Sequence, residues 1–219
     1  MRGLLSYDGF LCRTLAKITD CMCLSILWII GCIPLVTVGA STTALYYTVN
    51  KVIRHGKPGI WREYWHSFRL NFKQATVIWI ILLLVYGLLI TSYYSAYLLY
   101  LEDQFSQIML IFLLVLITVV TMWANYLLPY LARFNNTTKQ LMKNCAWFAV
   151  LNFPWTVLLL LLCAVTVASS LLMPLGFVLM PAGGMLISSY ILEHVFKKYM
   201  SLEDQTAENE RNGVTIDGN

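Results

Sequence analysis

Charge is scarce in this chain. Only 12% of its 219 residues are Asp, Glu, Lys or Arg, about half the roughly 25% of a soluble globular domain. None lies in residues 75–101, 107–132 or 146–172. Proton relays, voltage sensors and many ion-coupled carriers require ionisable groups at membrane depth, so this shortage argues against those mechanisms. Histidine is equally thin: His55, His66 and His194 are scattered, and no two stand one helical turn apart as a zinc-binding helix requires. His194 follows Glu193 and reads as half of a solvated interfacial pair. Six cysteines are present, but the only close pair is Cys21-Met22-Cys23 inside an apolar run. That spacing gives neither a metal knuckle nor a disulfide framework, and buried free thiols are expected. Gly183-Gly184 lacks the length and the lysine of a phosphate loop, and Asp8 and Asp20 are not spaced as a catalytic pair. The sequence therefore predicts no catalytic residues, no cofactor and no metal, and an enzyme is not expected.

What is abundant is apolar surface. The chain is 59% hydrophobic with mean hydropathy +0.68, which predicts one integral membrane helical domain over residues 1–200 and a disordered, acidic tail over residues 201–219. The expected fold class is all-α, a polytopic transmembrane bundle of five to six membrane helices with added interfacial amphipathic helices. Its fifteen Lys and Arg residues lie outside the long apolar runs and, against eleven Asp and Glu, leave a formal net charge of +4. That placement implies contact with anionic lipid headgroups and no nucleic acid.

Residues 33–47, IPLVTVGASTTALYY, interrupt an apolar stretch. Pro34 disfavours helix, Gly39 allows unusual backbone angles, and Ser41, Thr42 and Thr43 can cap a new helix. A hairpin is predicted, with legs near residues 21–35 and 41–53. Charge supports it: the N-terminal cations and those of residues 51–73 then share the cytoplasmic side. Irregular backbone at membrane depth needs protein or water to satisfy it, so other helices should pack around this break. A signal peptide cleaved after Val38-Gly39-Ala40 competes poorly, because Asp8 and Asp20 occupy its n-region and Pro34 its apolar core.

Residues 1–20 have apolar positions at helical spacing and predict a short interfacial helix. Residues 60–73, IWREYWHSFRLNFK, predict another, with Trp61, Tyr64, Trp65, Phe68 and Phe72 towards lipid and Arg62, His66, Arg69 and Lys73 around the rest. Separate spans follow at residues 75–101, 107–132 and 146–172, and residues 173–184 read as an apolar turn before a last leg at residues 185–199. Tyr93, Tyr94, Tyr97 and Tyr100 precede an acidic loop at Glu102 and Asp103 and read as an external aromatic belt. Asn135 and Asn136 fit the glycosylation pattern, without meaning on a cytoplasmic loop. A Pro-Gly break and a basic end recur in residues 34–51 and 181–198, a weak internal echo of the kind that marks binding sites in some transporters.

Neutral polar groups at depth form the candidate site: Thr37, Ser41, Thr42 and Thr43 at the break, with Asn125, Tyr126 and Asn152 further on. They either bond helix to helix or line a cavity for a polyhydroxylated ligand, helped by Trp28, Tyr46, Tyr47 and Trp123. A second candidate is the face of Trp61, Arg62, Trp65, Arg69 and Lys73, as interfacial anchor or as docking surface for a partner helix.

Residues 32–47, CIPLVTVGASTTALYY, resemble the signature of the YesL-like family of bacterial membrane proteins, whose function is uncharacterised. Residues 71–76, NFKQAT, and residues 152–154, NFP, are similar to two further stretches of that family, and the likeness covers roughly residues 1–200. It implies a multi-pass protein of the bacterial plasma (inner) membrane, with carbohydrate ABC permease subunits as expected partners and no catalytic or binding residues to carry over. The expected role is an accessory or regulatory component of oligosaccharide uptake, with both termini cytoplasmic. A small stand-alone transporter or channel, as a homo-oligomer or alone, and a membrane partner of a sensor kinase are the alternatives.

Overall fold

The computed structural model describes residues 10–56, 58–101, 107–134, 136–172 and 174–199. Its described residues are almost all helical, with no strand among them, and five helices are long and apolar enough to cross a membrane. The all-α polytopic bundle is therefore what this sequence forms. The acidic tail, the first nine residues of the predicted N-terminal interfacial helix, Glu102, Asp103 and Asn135 lie outside the described residues.

Helix α1 runs unbroken over Phe10–Cys32, so no boundary separates an interfacial helix from the first hydrophobic leg near residue 20. The chain then breaks at Ile33 and Pro34, where Pro34 adopts an extended conformation (φ −78°, ψ 122°). One 3-10 turn, Leu35–Thr37, leads into α2, Val38–Thr48, which is prolonged by a π-helical stretch, Val49–Arg54. The hairpin forms, but two of its expected devices differ. Gly39 sits inside α2 in helical conformation: a Cβ there would lie 2.6 Å from Trp79 Cβ and 2.7 Å from the Ala75 carbonyl oxygen, so the glycine allows close helix packing. The hydroxyls also do not cap α2. Thr42 and Thr43 donate back to the carbonyls of Val38 (2.8 Å) and Gly39 (2.9 Å), four residues earlier.

Helix α3, Ile60–Leu101, is one rod of 42 residues. The expected interfacial helix of residues 60–73 and the following span are continuous, because no proline or glycine stands between them. Its aromatic stripe turns inward: Tyr64 is fully buried, and Phe68 and Phe72 pack on the core. The helix α2 lies antiparallel along α3 and packs on it more than on any other element. Trp79 Nε1 donates to the Leu35 carbonyl (2.8 Å), and Lys51 meets Glu63 (2.6 Å) at the other end. The hairpin tip is thus level with Trp79, while α3 continues to Leu101, about 33 Å of further helix at 1.5 Å per residue.

Helix α4, Gln107–Arg133, returns along α3, joined to it by Tyr86 and Thr121 (3.0 Å) and by Gln107 and Tyr100 (2.8 Å). The expected fourth span is two helices: α5, Thr138–Leu151, and α6, Phe153–Leu172. They part at Asn152 (φ −113°, ψ 44°), and Pro154 stands in the first turn of α6, where a missing N–H costs no hydrogen bond. The expected turn at residues 173–184 is also absent. Helix α7, Pro174–Lys198, runs through Pro181, and the Ala182 N–H near that proline is satisfied by Ser25 Oγ of α1 (3.1 Å). Pro34 breaks a helix and Pro181 does not, so the internal echo does not extend to the fold.

Two apolar clusters hold the bundle. One joins α4, α5 and α7 through Tyr126, Tyr130, Leu141 and Phe196; the other joins α1, α2 and the start of α3 through Leu24, Leu45, Val49 and Tyr64.

Candidate functional site

The break is pinned by hydroxyls. Thr37 Oγ1 bonds the carbonyls of Gly31 (2.7 Å) and Pro34 (2.8 Å), supplying partners to backbone that the proline leaves outside a helix. Ser41 Oγ donates to the Trp28 carbonyl (3.0 Å) and meets the buried Tyr64 hydroxyl at 2.7 Å. That hydroxyl also reaches the Leu27 carbonyl (3.2 Å), so one tyrosine of α3 ties both legs of the hairpin. Gly31 leaves it room, since a Cβ there would lie 2.6 Å from the Tyr64 oxygen.

A buried ionic cluster lies below. Glu193, on α7, is 1% exposed. Its carboxylate accepts from Tyr46 Oη (2.9 Å) and Asn50 Nδ2 (3.0 Å) and pairs with Arg133 at the end of α4. Three groups, two from the α2 segment and one from α4, therefore meet at one carboxylate of α7. Arg54 adds a further tie, donating to the Ser189 carbonyl (3.3 Å) and stacking on Tyr190. The expected solvated Glu193–His194 pair does not form, because adjacent residues on a helix point about 100° apart. His194 is exposed and rests against Trp155.

Between α3, α4, α6 and α7, over the hairpin, lies a cavity of about 510 Å³. Thr42 and Asn125 line it, together with Trp28, Trp79, Tyr86 and Leu159. Most of its hydroxyls are committed: Thr42 donates to Val38 and accepts from Trp28 Nε1 (3.1 Å), Thr121 donates to Ile117 (2.8 Å), and Thr166 and Ser170 donate within α6, whereas Ser188 of α7 lines the cavity without such a bond. Asn125 Nδ2 is different, being buried without a partner. Pro129, one turn later, has no N–H to give the Asn125 carbonyl, so that acceptor also lacks its usual helix partner.

The seven predicted polar residues are thus not one group. Thr42 and Asn125 share the cavity. Thr37 and Ser41 fasten the break, and Thr43 bonds within α2. Tyr126 is buried against Thr156 Oγ1 (2.9 Å), while Asn152 bonds the Phe148 carbonyl and the Tyr199 hydroxyl (both 3.2 Å). Of the supporting aromatics, Trp28 lines the cavity, Tyr46 bonds Glu193, Tyr47 accepts from Lys51 (3.0 Å), and Trp123 donates to the Met142 carbonyl (3.1 Å). The ionic cluster was missed by sequence reasoning. The signal for it was Glu193 sharing one helical face with Ser189, Leu192 and Phe196.

At the start of α3, Trp61 is 64% and Leu70 68% exposed, and Arg62, His66, Arg69 and Lys73 are exposed beside them. Trp65 flanks this shallow groove with a buried indole N–H that has no partner.

Residues 21–93 match the model of a family described as a protein of unknown function, DUF624, a family of membrane proteins. The match covers the second half of α1, the break, α2 and the first four-fifths of α3. No curated protein and no solved structure matches the chain.

Proposed function

We propose that this is a non-enzymatic accessory or regulatory component of carbohydrate uptake in the bacterial plasma membrane, YesL-like, with both termini in the cytoplasm. It acts by contact with permease subunits. The observation that supports this reading is the division of its polar groups. Most of those inside the bundle are spent on joining helices, whereas Trp61, Arg62, His66, Arg69 and Lys73 at the start of α3 face outward, uncommitted to the fold. A groove walled by Trp61, Arg62, Trp65 and Arg69 suits an amphipathic partner helix with acidic residues on one side. The oligosaccharide permease as partner comes from the YesL-like resemblance.

The test is co-purification from a bacterium expressing the tagged full chain, with a sugar permease recovered from wild type and lost from an Arg62→Glu, Arg69→Glu variant. The same purified protein in liposomes should not take up sugar. Uptake without other subunits would replace the accessory role by the stand-alone transporter.

A further inference from the structure

The geometry points to the cavity as a binding site for a neutral, membrane-dissolved amphiphile: a hydrocarbon body carrying one carbonyl that accepts a hydrogen bond from Asn125 Nδ2. Size is the first argument, since about 510 Å³ falls within the roughly 300–1,000 Å³ of small-molecule pockets. Access is the second. Val167 and Leu171 of α6 both line the cavity and are 54% and 77% exposed, so its rim is formed by apolar side chains that face the bilayer in a membrane-spanning helix. Entry is from lipid.

Chemistry is the third argument. A sugar brings several hydroxyls, each needing a partner once out of water, and the hydroxyls of Thr42, Thr121, Thr166 and Ser170 already donate to backbone carbonyls. A polyhydroxylated ligand would leave most of its groups unpaired. No Asp, Glu, Lys, Arg or His lines the walls, so an ionised head would be buried without a counter-charge. Two lining donors have no partner, Asn125 Nδ2 and the Ser188 hydroxyl, and Asn125 Nδ2 is the buried one. One acceptor on the ligand satisfies it, and Trp28, Trp79 and Tyr86 provide flat apolar walls for the rest.

Two kinds of molecule share this chemistry: a neutral acylglycerol and an isoprenoid quinone. The experiment uses the full chain in phosphatidylcholine nanodiscs with a monoacylglycerol bearing a diazirine in its acyl chain. After photolysis, labelled peptides are mapped by mass spectrometry. Saturable labelling of the peptides holding Asn125 and Thr166 is expected. Unlabelled monooleoylglycerol or a decyl-substituted quinone should compete; whichever is stronger identifies the source. Asn125→Leu should weaken binding about tenfold, the factor carried by roughly 1.4 kcal/mol or one hydrogen bond. Ser188→Phe, which fills space from α7, should abolish saturation while leaving the elution profile of the protein unchanged. Labelling that never saturates, that neither competitor displaces, or that is displaced by maltotriose instead would overturn the proposal. The outcome is independent of whether a permease co-purifies.

Discussion

At the scale of single residues, Glu193 is the side chain on which most depends. It holds Tyr46 and Asn50 of the α2 segment together with Arg133 of α4, and removing one partner of a buried pair is far more costly than removing both. Glu193→Gln keeps an acceptor for Tyr46 and Asn50 but strands the Arg133 charge, and is expected to destabilise by about 3–5 kcal/mol. Arg133→Met strands the carboxylate, with a similar cost. The double variant should be nearer to wild type than either single, measured by thermal unfolding in detergent through tryptophan fluorescence. Equal losses in the singles and the double would mean that the charges are not coupled. The sequence displayed Glu193 but not its burial, since its partners are 60 to 147 residues away and its neighbour His194 is exposed. Asn125 was legible as a polar group at depth, whereas its lack of a partner depends on three-dimensional packing.

At the scale of elements, proline and glycine carry opposite lessons. Pro34 was legible because a break in an apolar run has few other causes, and the hairpin follows from it. Gly39 was misread as a turn residue because sequence alone does not distinguish a glycine that frees the backbone from one that admits a neighbour. Gly39→Ala should force α2 away from α3, since the new methyl would meet a backbone carbonyl at 2.7 Å. The expected loss is about 1–3 kcal/mol, as for overpacked cores. Gly183→Ala in α7 meets nothing within 4 Å and should gain up to about 1 kcal/mol from helix propensity. Comparing the two unfolding midpoints separates packing from backbone entropy. The fusion of residues 60–73 with the following span was missed for a related reason. Amphipathic and fully apolar patterns suggested two environments, but one rod can pass through both without a break.

At the scale of the whole molecule, the helices reach different heights, which composition does not encode. The exposed Arg62, Arg69 and Lys73 place the first third of α3 outside the hydrocarbon, because each cation at the centre of a bilayer costs at least about 2.5 kcal/mol. The α1–α2 hairpin lies beside that same third and ends level with Trp79. The remaining helix to Leu101 is about 33 Å long, enough by itself to cross a hydrocarbon core of about 30 Å. The hairpin tip, with Ile33, Leu35 and Val36 at 78%, 65% and 50% exposure, is therefore expected to dip into the near leaflet without reaching the far face. Single cysteines in a background with the native cysteines changed to alanine test this with a membrane-impermeant thiol reagent on sealed spheroplasts and inverted vesicles. A cysteine at Gly56 should react only in inverted vesicles, one at Tyr100 only in spheroplasts, and one at Ile33 in neither. Reaction of Ile33 from the Tyr100 side would make the hairpin two complete crossings. It would also place the cations of α3 deep in the membrane, where the groove at Trp61 and Arg62 is not accessible to a cytoplasmic partner.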